Sequence, residues 1–210
     1  MTILRERSTK MKIKSTCIVG VDGTGKSSTI EQLKERLGEE NVVVQYMGAR
    51  MWETKLAQKY IGTEGRENLF RSIMIVTAFP MEMFHRVYKH RGTNKIVIFD
   101  RYVYEQIVVR KAKGGGLFNK IVTSIYSILF NRIMYKPGLT AYLKCPIETS
   151  LARKNDIQTR EELDNLKRNK CVLDKYYTEC KGTIVIDTSE TSQNDVVNTI
   201  LKAMKNRGIL

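Results

Sequence analysis

A glycine-rich run near the start of the chain limits its fold more than any other segment. Its sequence is Gly20-Val21-Asp22-Gly23-Thr24-Gly25-Lys26-Ser27, followed by Ser28. The run matches the pattern GxxxxGK(S/T) at every defined position, and in this pattern glycines let backbone N–H groups turn inward around phosphate oxygens. A glycine turn that only caps a helix is the alternative. The match predicts that residues 20–28 form a phosphate-binding loop, or P-loop, for a nucleoside triphosphate.

The segments that flank this loop have the patterns of a strand and a helix. Ser15–Gly20 is a short apolar run that ends at a glycine, as a buried parallel strand does. Lys26–Leu37 has apolar residues three and four positions apart, which is helix spacing, and Val42–Met47 adds a second strand. The positive end of the helix would face the phosphates. We expect Lys26 to reach the β- and γ-phosphates of ATP and the Ser27 hydroxyl to bind Mg²⁺.

Strands and helices alternate along the rest of the chain. Further apolar runs predict strands at Lys95–Phe99, Leu139–Leu143 and Thr183–Asp187. Helices are predicted at Arg50–Tyr60, Arg66–Arg91, Tyr102–Lys113, Leu117–Tyr135, Ile147–Lys154, Glu161–Cys180 and Asp195–Lys205. Pro80 is expected to kink or end the second of these. The alternation predicts an α/β protein with the P-loop NTPase fold, a five-stranded parallel sheet with helices on both faces.

Composition excludes several classes of protein. The formal net charge of +14 favours anionic partners such as nucleotides, nucleic acid or an acidic membrane. No segment has the uninterrupted apolar length of a membrane span, since the nearest candidate, Leu117–Tyr135, contains Lys120 and Arg132. Four cysteines without paired spacing and only two histidines argue against a zinc site. Residues 1–14 form a basic tail without a secretory signal, so we expect a reducing, cytoplasmic location.

A second motif makes the sequence resemble a known family. Asp100-Arg101-Tyr102 follows the third predicted strand, and Lys136–Lys154 contains the fourth strand, a proline and an arginine-bearing helix. Together with GVDGTGKSS, these segments resemble the thymidylate kinase family of nucleoside monophosphate kinases over about Thr16–Lys205. The resemblance implies that residues 15–210 form one P-loop kinase domain. It would use ATP and Mg²⁺ to transfer the γ-phosphoryl group to a small acceptor, first of all a nucleoside monophosphate, and a homodimer would be compatible with it.

The family's catalytic residues have counterparts in this chain. Asp100 follows a strand end that should face the P-loop, and we expect it to hold Mg²⁺ or a Mg²⁺-bound water, with a salt bridge or a helix N-cap as the alternative. Arg101 matches the family arginine that bridges donor and acceptor phosphates, with a surface ion pair as the alternative. Arg153 and Arg160 flank a polar stretch that resembles a lid at about residues 153–161. Such a lid brings arginines onto the phosphates, whereas a solvated basic loop would not.

The acceptor half of the site departs from the family pattern. Asp22 matches an acidic position near the acceptor's sugar hydroxyl, with stabilisation of the loop as the alternative. Where the family has arginines for the acceptor phosphate, this chain has Tyr46-Met47-Gly48-Ala49 and Thr77–Phe79. The basic residues nearest Thr77–Phe79 are Arg71 and Arg86, and Arg50, Arg86 or Arg110 could substitute only where the backbone differs from the family's. Glu105 and Val109-Arg110 replace a serine and a Tyr-Gln pair. A dianionic phosphate without charge-assisted partners binds weakly, so we expect dTMP to be a poor acceptor.

Two other classes of function stay open at this level. A kinase acting on nucleic acid, or on a modified base within it, is favoured by the positive charge and disfavoured by the lack of a basic-aromatic recognition motif. A P-loop protein that uses ATP as a regulatory or membrane-associated switch is supported by the apolar Leu117–Tyr135 helix beside a basic surface. The Asp100-Arg101 pair and the lid arginines argue against a mere switch.

Overall fold

A five-stranded parallel sheet forms the centre of the molecule. The computed structural model describes residues 13–48, 52–61, 69–153 and 159–210, with the backbone alone for residues 60–61 and 69–75. The strands are β1 Ser15–Val19, β2 Val42–Tyr46, β3 Ile96–Asp100, β4 Leu139–Lys144 and β5 Thr183–Asp187. Their spatial order is β2-β3-β1-β4-β5, and all neighbouring pairs are parallel.

The helices of the described residues cover both faces of this sheet. They are α1 Lys26–Leu37, α2 Lys55–Ile61, α3 Leu69–Tyr88, α4 Val103–Lys113, α5 Leu117–Arg132, α6 Ile147–Arg153, α7 Arg160–Glu179 and α8 Gln193–Asn206, with a 3₁₀ turn at Glu39–Asn41. Helices α1 and α8 pack on the face that carries Ile18 and Ile98. Helices α3, α4, α5 and α7 pack on the face of Cys17 and Phe99. This is the predicted P-loop NTPase architecture, and the prediction is confirmed.

Strand β1 lies at the centre of the sheet and is buried on both sides. Cys17 belongs to one apolar cluster and Ile18 to the other, and both are 0% exposed. The parallel register pairs Ile18 with Asp100 of β3 and with Ala141 of β4. Strands buried on both faces are continuous apolar runs, as this one is. The register also brings Asp100, at the carboxyl end of β3, beside the loop that follows β1.

Helix α3 contains Pro80, at which the sequence predicts a kink or an end. The helix does not end there and continues to Tyr88. A proline in a helix removes one backbone hydrogen bond and crowds the preceding turn. Around Pro80, the side chains of Ala78, Phe79 and Met83 are almost completely buried, and the latter two pack into the main core cluster. Burial of these side chains offsets the lost hydrogen bond, so tertiary packing overrides the local preference.

Helix α2 begins at Lys55, later than the predicted start at Arg50, which lies outside the described residues. The Thr54 hydroxyl accepts a hydrogen bond from the Ala57 N–H at 3.2 Å, as an N-cap does. The Thr54 N–H donates to the buried Glu82 carboxylate at 2.8 Å. These bonds hold the residue before the helix in place, and the helix starts directly after it.

The packed core begins slightly before residue 15, the predicted domain boundary. Ile13 is 3% exposed, and its carbonyl accepts a hydrogen bond from the Tyr135 hydroxyl. The Lys14 carbonyl accepts from the Val97 N–H at 2.8 Å, which extends the pairing of β1 with β3. Residues 1–12 of the predicted basic tail lie outside the described residues.

Candidate active site

The P-loop connects β1 to α1 and has two positions that only glycine fits. Gly20 has a φ of +149° and Gly23 a φ of +83°. A Cβ on Gly20 would lie 2.4 Å from the Leu143 carbonyl oxygen, and one on Gly23 would lie 2.4 Å from the Ser150 carbonyl oxygen. Both distances are well below van der Waals contact. The loop is therefore held directly against the end of β4 and against α6.

Lys26 is the first residue of α1, and only 7% of it is exposed. Its ammonium group donates to the Val21 carbonyl at 2.7 Å and lies 3.8 Å from an Asp22 carboxylate oxygen. Burial, followed by the nearby Arg101 guanidinium, lowers the pKa of Lys26 to about 8. The lysine predicted to reach the triphosphate is thus a buried cation whose ammonium group contacts the backbone of the P-loop itself.

Asp100 and Ser27 offer oxygen ligands of the kind that Mg²⁺ prefers. The Asp100 Oδ1 atom is buried and has no hydrogen-bond partner among the described residues. Burial raises the pKa of the Asp100 carboxyl, against the opposing effect of Lys26. Ser27 is exposed and lines the same cavity as Asp100. Magnesium is bound by one or two protein oxygens together with substrate phosphates and water, and this pair fits such a site. Consistent with this, the described residues contain no cluster of three or more His, Cys, Asp or Glu residues that could hold a metal alone.

Arg101 follows β3 directly and has a strained backbone. Its φ of +68° is the only positive value among the described non-glycine residues, and such a conformation costs on the order of 1–3 kcal/mol. Its N–H donates to the Ile18 carbonyl at 2.9 Å. Its guanidinium donates to the carboxylates of Asp22 in the P-loop and Glu105 in α4, the latter at 3.3 Å. Two carboxylates and a β1 carbonyl therefore hold this cation at the P-loop.

Glu105 belongs to the site although no motif predicts it. One of its carboxylate oxygens accepts from the Gly20 N–H at 3.1 Å, and the other accepts from Arg101. Glu105 is 5% exposed, and its burial raises the pKa of the carboxyl despite the opposing charges of Arg101 and Lys26. Besides its departure from the family's serine, the sequence signal that could have found it is the spacing of four residues from Arg101 at the start of a helix. The carboxylate links the first glycine of the P-loop to the arginine.

These groups open onto one cavity of about 920 Å³, a size typical of small-molecule sites. Its lining includes the P-loop residues Val21, Asp22, Gly23, Gly25, Lys26, Ser27 and Ser28, together with Asp100, Arg101 and Arg153. The other lining residues are Tyr46, Gly48, Tyr102, Glu105, Gln106, Val109, Leu166, Asn169 and Leu173. Gly20 and Thr24, also predicted to bind nucleotide, are not among the lining residues. Thr24 is fully buried, with its hydroxyl donating to the Val21 carbonyl at 2.8 Å.

The two predicted lid arginines differ in position. Arg153 ends α6 and lines the cavity, where its guanidinium donates to the Thr188 carbonyl at 2.9 Å and to the Thr188 hydroxyl at 3.1 Å. Arg160 begins α7, is exposed and is not among the lining residues. Residues 154–158 of the predicted lid lie outside the described residues. The catalytic role of both arginines stays a prediction.

The described arginines that could have replaced the family's acceptor-phosphate ligands do not line the cavity. Arg86 is 1% exposed and donates to the backbone carbonyls of Tyr46 at 3.1 Å and Gly48 at 2.8 Å. Arg110 donates to an asparagine side chain at the start of α5. Arg50 lies outside the described residues. Arg86 therefore fixes the backbone after β2 instead of facing the acceptor.

A family profile described as thymidylate kinase matches residues 18–200 of this chain. The matched region contains the P-loop, Asp100, Arg101 and the helices on both sides of the cavity. This chain belongs to the thymidylate kinase family. It is accordingly a phosphotransferase, the enzyme class that the P-loop and the Asp100-Arg101 pair predict.

Two archaeal relatives, each named probable thymidylate kinase, match over most of their length. The protein from Thermococcus onnurineus is 26% identical over 198 residues, which cover 86% of this chain and 93% of the relative. The protein from Methanocaldococcus jannaschii is 26% identical over 196 residues, which cover 89% of this chain and 93% of the relative. The similarity therefore extends well beyond the P-loop.

Solved structures of nucleotide and nucleoside kinases share the fold. The thymidylate kinase from Candida albicans superposes with a TM-score of 0.68 at 15% identity, covering 94% of this chain and 93% of that one. A deoxyadenosine kinase from M. mycoides with bound dATP gives a TM-score of 0.61 at 15% identity, covering 91% and 98%. Identities this low establish the common fold alone.

Proposed function

We propose that this protein is an ATP- and Mg²⁺-dependent kinase that transfers the γ-phosphoryl group of ATP to a nucleoside monophosphate. The observation that carries the proposal is that the P-loop and the Asp100-Arg101 pair open onto a single cavity, which continues into a pocket of aromatic, amide and aliphatic side chains. Phosphoryl transfer needs positioning and neutralisation of charge more than covalent chemistry. The cavity places three cations, Lys26, Arg101 and Arg153, where they can provide this.

The donor triphosphate would lie over the P-loop at the positive end of α1. The Lys26 ammonium, which now donates to the Val21 carbonyl, is the cation nearest the loop and would also donate to the β- and γ-phosphates. Ser27 and Asp100 would hold Mg²⁺, which when bound neutralises charge on the phosphate oxygens. The raised pKa of Asp100 follows from burial, and a bound cation would favour its ionised form.

Arg101 would position the transferred group between donor and acceptor. Its guanidinium contacts Asp22, whose side chain is 43% exposed, and Glu105, whose side chain is 6% exposed. A phosphate can therefore replace the accessible carboxylate, while the buried one keeps the planar guanidinium in its orientation. Arg153 also lines the cavity and would add positive charge as the reaction proceeds.

The acceptor would occupy the part of the cavity that is lined by residues outside the P-loop. Tyr46 offers aromatic surface, and Gln106 and Asn169 offer amide groups, which together suit a nucleobase. The Asn169 Oδ1 atom is buried without a partner among the described residues, so it can accept a hydrogen bond from a base N–H. Among the described residues, neither Arg86 nor Arg110 lines the cavity, which supports the expectation that dTMP is a poor acceptor.

Steady-state turnover tests this proposal with the full chain, ATP, Mg²⁺ and a panel of ribonucleoside and deoxyribonucleoside monophosphates. At least one monophosphate should reach a kcat/KM of about 10⁴ M⁻¹s⁻¹ or above, with dTMP lower by roughly 10² or more, because two charge-assisted contacts are missing. Lys26→Met, which nearly conserves side-chain volume, should lower turnover by about 10² or more.

The same assay carries the outcomes that contradict the proposal. A dTMP efficiency of about 10⁵ M⁻¹s⁻¹ would show that the altered acceptor half still works as in the family. Turnover with nucleosides or short DNA, but with none of the monophosphates, would overturn the acceptor class while leaving the phosphotransferase assignment intact.

A further inference from the structure

The outward face of helix α5 carries a stripe of exposed aliphatic side chains. Leu117, Ile121 and Ile128 are 75%, 49% and 56% exposed. Their spacing of four and seven residues places them on one stripe along the helix, and Phe118, 45% exposed, lies beside it. A single exposed aliphatic residue is ordinary, but an aligned set on one helix is a surface that water does not favour.

The opposite face of the same helix is apolar. Val122, Tyr126 and Phe130 are buried in the main core cluster. Helix α5 thus has a buried apolar face and, on its outward side, an exposed aliphatic stripe among polar and basic residues. In the part of the chain that the structure describes, no element covers the outward stripe. The helix is firmly held, since the Tyr88 hydroxyl donates to the Ile133 carbonyl at 2.8 Å, so the stripe belongs to a fixed surface.

Basic residues surround this stripe, and acidic residues are absent from the segment. Residues 106–147 contain seven lysines and arginines and no aspartate or glutamate. Five of the basic side chains are exposed and form no ion pair with other described residues: Lys111, Lys113, Lys120, Arg132 and Lys136. They lie at the end of α4, on α5 and just after α5. The surface is therefore apolar at its centre and positively charged around it.

We propose that α5 and these flanking basic residues, here called the α5 surface, bind peripherally to a membrane that contains anionic lipids. An interfacial helix inserts aliphatic side chains among the acyl chains while lysines and arginines contact lipid headgroups. The helix has 16 residues, and no described helix is long and apolar enough to cross a bilayer, so α5 would lie in the plane of the surface. This inference goes beyond the proposed kinase function and does not depend on it.

Charge and apolar area favour an anionic membrane over two other partners of the α5 surface, a second copy of the chain and nucleic acid. A two-fold dimer through the α5 surface would place the same basic residues of two copies against each other, without an acidic residue from this segment to pair with them. Nucleic acid would match the charge but would leave the three aliphatic side chains without an apolar partner. An anionic bilayer supplies both the negative charge and the apolar phase.

Vesicle co-sedimentation of the full chain tests the proposal. Binding to vesicles of phosphatidylcholine with phosphatidylglycerol should exceed binding to phosphatidylcholine alone by about tenfold or more, and should weaken with added salt. The double variant Ile121→Glu with Ile128→Glu should lower binding to the anionic vesicles by about tenfold or more. Lys113→Ala and Lys120→Ala should each lower it about fivefold, as expected for one basic residue near the headgroups.

A matched control variant introduces the same two negative charges at exposed apolar positions outside the α5 surface. Val185 and Leu210 are 37% and 45% exposed and lie on β5 and after α8, outside the α5 surface. Salt titration measures how much two added negative charges weaken binding wherever they lie. After correction for this effect, the double variant Val185→Glu with Leu210→Glu should bind anionic vesicles within about twofold of the unchanged protein. Circular dichroism and thermal unfolding of all variants check that each is folded.

Four results would overturn the proposal. Equal binding to both vesicle types would show that anionic lipids are not recognised. Equal losses of binding in the test and control double variants would show that binding does not occur through the α5 surface. Light scattering could instead reveal a dimer that the double variant Ile121→Glu with Ile128→Glu abolishes. If the unchanged protein also failed to bind vesicles, the α5 surface would be assigned to contact with a second copy of the chain. Binding to a DNA duplex that is tighter than to anionic vesicles, and unaffected by the isoleucine substitutions, would assign the basic residues to nucleic acid.

Discussion

Two arginines in this molecule each pair with a glutamate four residues away, but the surroundings of the pairs differ. Glu82 and Arg86 in α3 have side chains 0% and 1% exposed and are joined at 2.7 Å, whereas Arg101 and Glu105 are 25% and 6% exposed and joined at 3.3 Å. Burial acts to raise the pKa of both carboxyls. Hydrogen bonds from residues 53 and 54 and from Arg86 outweigh it and lower the pKa of Glu82, while the pKa of Glu105 stays raised.

The other partners of each arginine explain the difference. Arg86 also donates to the carbonyls of Tyr46 and Gly48, which are fixed parts of the backbone after β2. Arg101 also donates to Asp22, which is partly exposed and lies in the loop that would bind phosphate. The Arg86 pair, whose other contacts are buried backbone groups, stabilises the fold. The Arg101 pair contacts a partly exposed carboxylate that a ligand phosphate can replace, so it can bind a ligand. Measurements of unfolding and of turnover should therefore separate the two arginines.

Arg86→Met should have the largest effect. It leaves the Glu82 carboxylate buried without its cation, so we expect a loss of about 3–5 kcal/mol in the free energy of unfolding, measured by urea denaturation. Turnover per folded molecule should fall less than in Arg101→Ala, since Arg86 acts on the cavity only through the backbone of Tyr46 and Gly48. The double variant Glu82→Gln with Arg86→Met should lose less than the sum of the two single losses. Lost turnover with stability unchanged to within about 1 kcal/mol would instead place Arg86 in the active site.

Arg101→Ala should have the converse effect. Removing a cation that acts on the transferred group should lower kcat by about 10²–10³, while stability falls less than in Arg86→Met. Arg101→Gly is the matched control, because it loses the same guanidinium but relieves the positive φ. It should be as inactive and about 1 kcal/mol more stable than the alanine variant. Wild-type turnover in both variants would contradict the assigned role of Arg101.

Arg153→Ala extends the comparison to the predicted lid. Because Arg153 lines the cavity and would act mainly in the transition state, kcat should fall by about 10² with a much smaller change in ATP affinity. Arg160→Ala removes the same charge from an exposed position outside the cavity and serves as the control. A larger loss of kcat in Arg160→Ala than in Arg153→Ala would mean that the lid arginine has been assigned to the wrong residue.

The pH dependence of turnover should give the smallest effect. The pKa of Lys26 is lowered to about 8, so the free enzyme loses this charge as the pH rises through that value. The kcat/KM for ATP should then fall about tenfold between pH 7 and pH 9. Arg101 does not contribute, since Glu105 and Asp22 raise the pKa of its guanidinium despite burial. A flat profile up to pH 9 would show that Lys26 stays protonated without ATP.

The sheet and the P-loop could be predicted because their signals are local. Strand Thr183–Asp187 and helix Lys26–Leu37 have the predicted bounds, since an apolar run or an apolar spacing of three and four ends at each boundary. The continuation of helix α3 beyond Pro80 could not be predicted, because packing partners that are distant in sequence keep the helix continuous. The same holds for α2, which begins where a distant carboxylate, Glu82, holds the residue before it.

The site was predictable where it depends on motifs and not where it depends on contacts across the fold. Asp100 and Arg101 lie at the P-loop as expected, because parallel strands end at the same edge of the sheet. Glu105 bonds Gly20, 85 positions away in the sequence, and such a contact leaves no local pattern. The pocket residue Asn169 comes from the middle of α7, where its type and spacing do not distinguish it from a surface residue.

The close contact between Gly23 and α6 connects two parts of the enzyme mechanically. The Ser150 hydroxyl donates to the Asp22 carbonyl, and the Ser150 carbonyl leaves no room for a side chain at Gly23. Arg153 lies on the same short helix, one turn farther along. The loop that would receive the triphosphate and the helix that carries a cation into the cavity thus share a rigid joint. A shift of the loop as the donor enters would therefore displace the helix that carries the arginine through this contact, without a relay through the core.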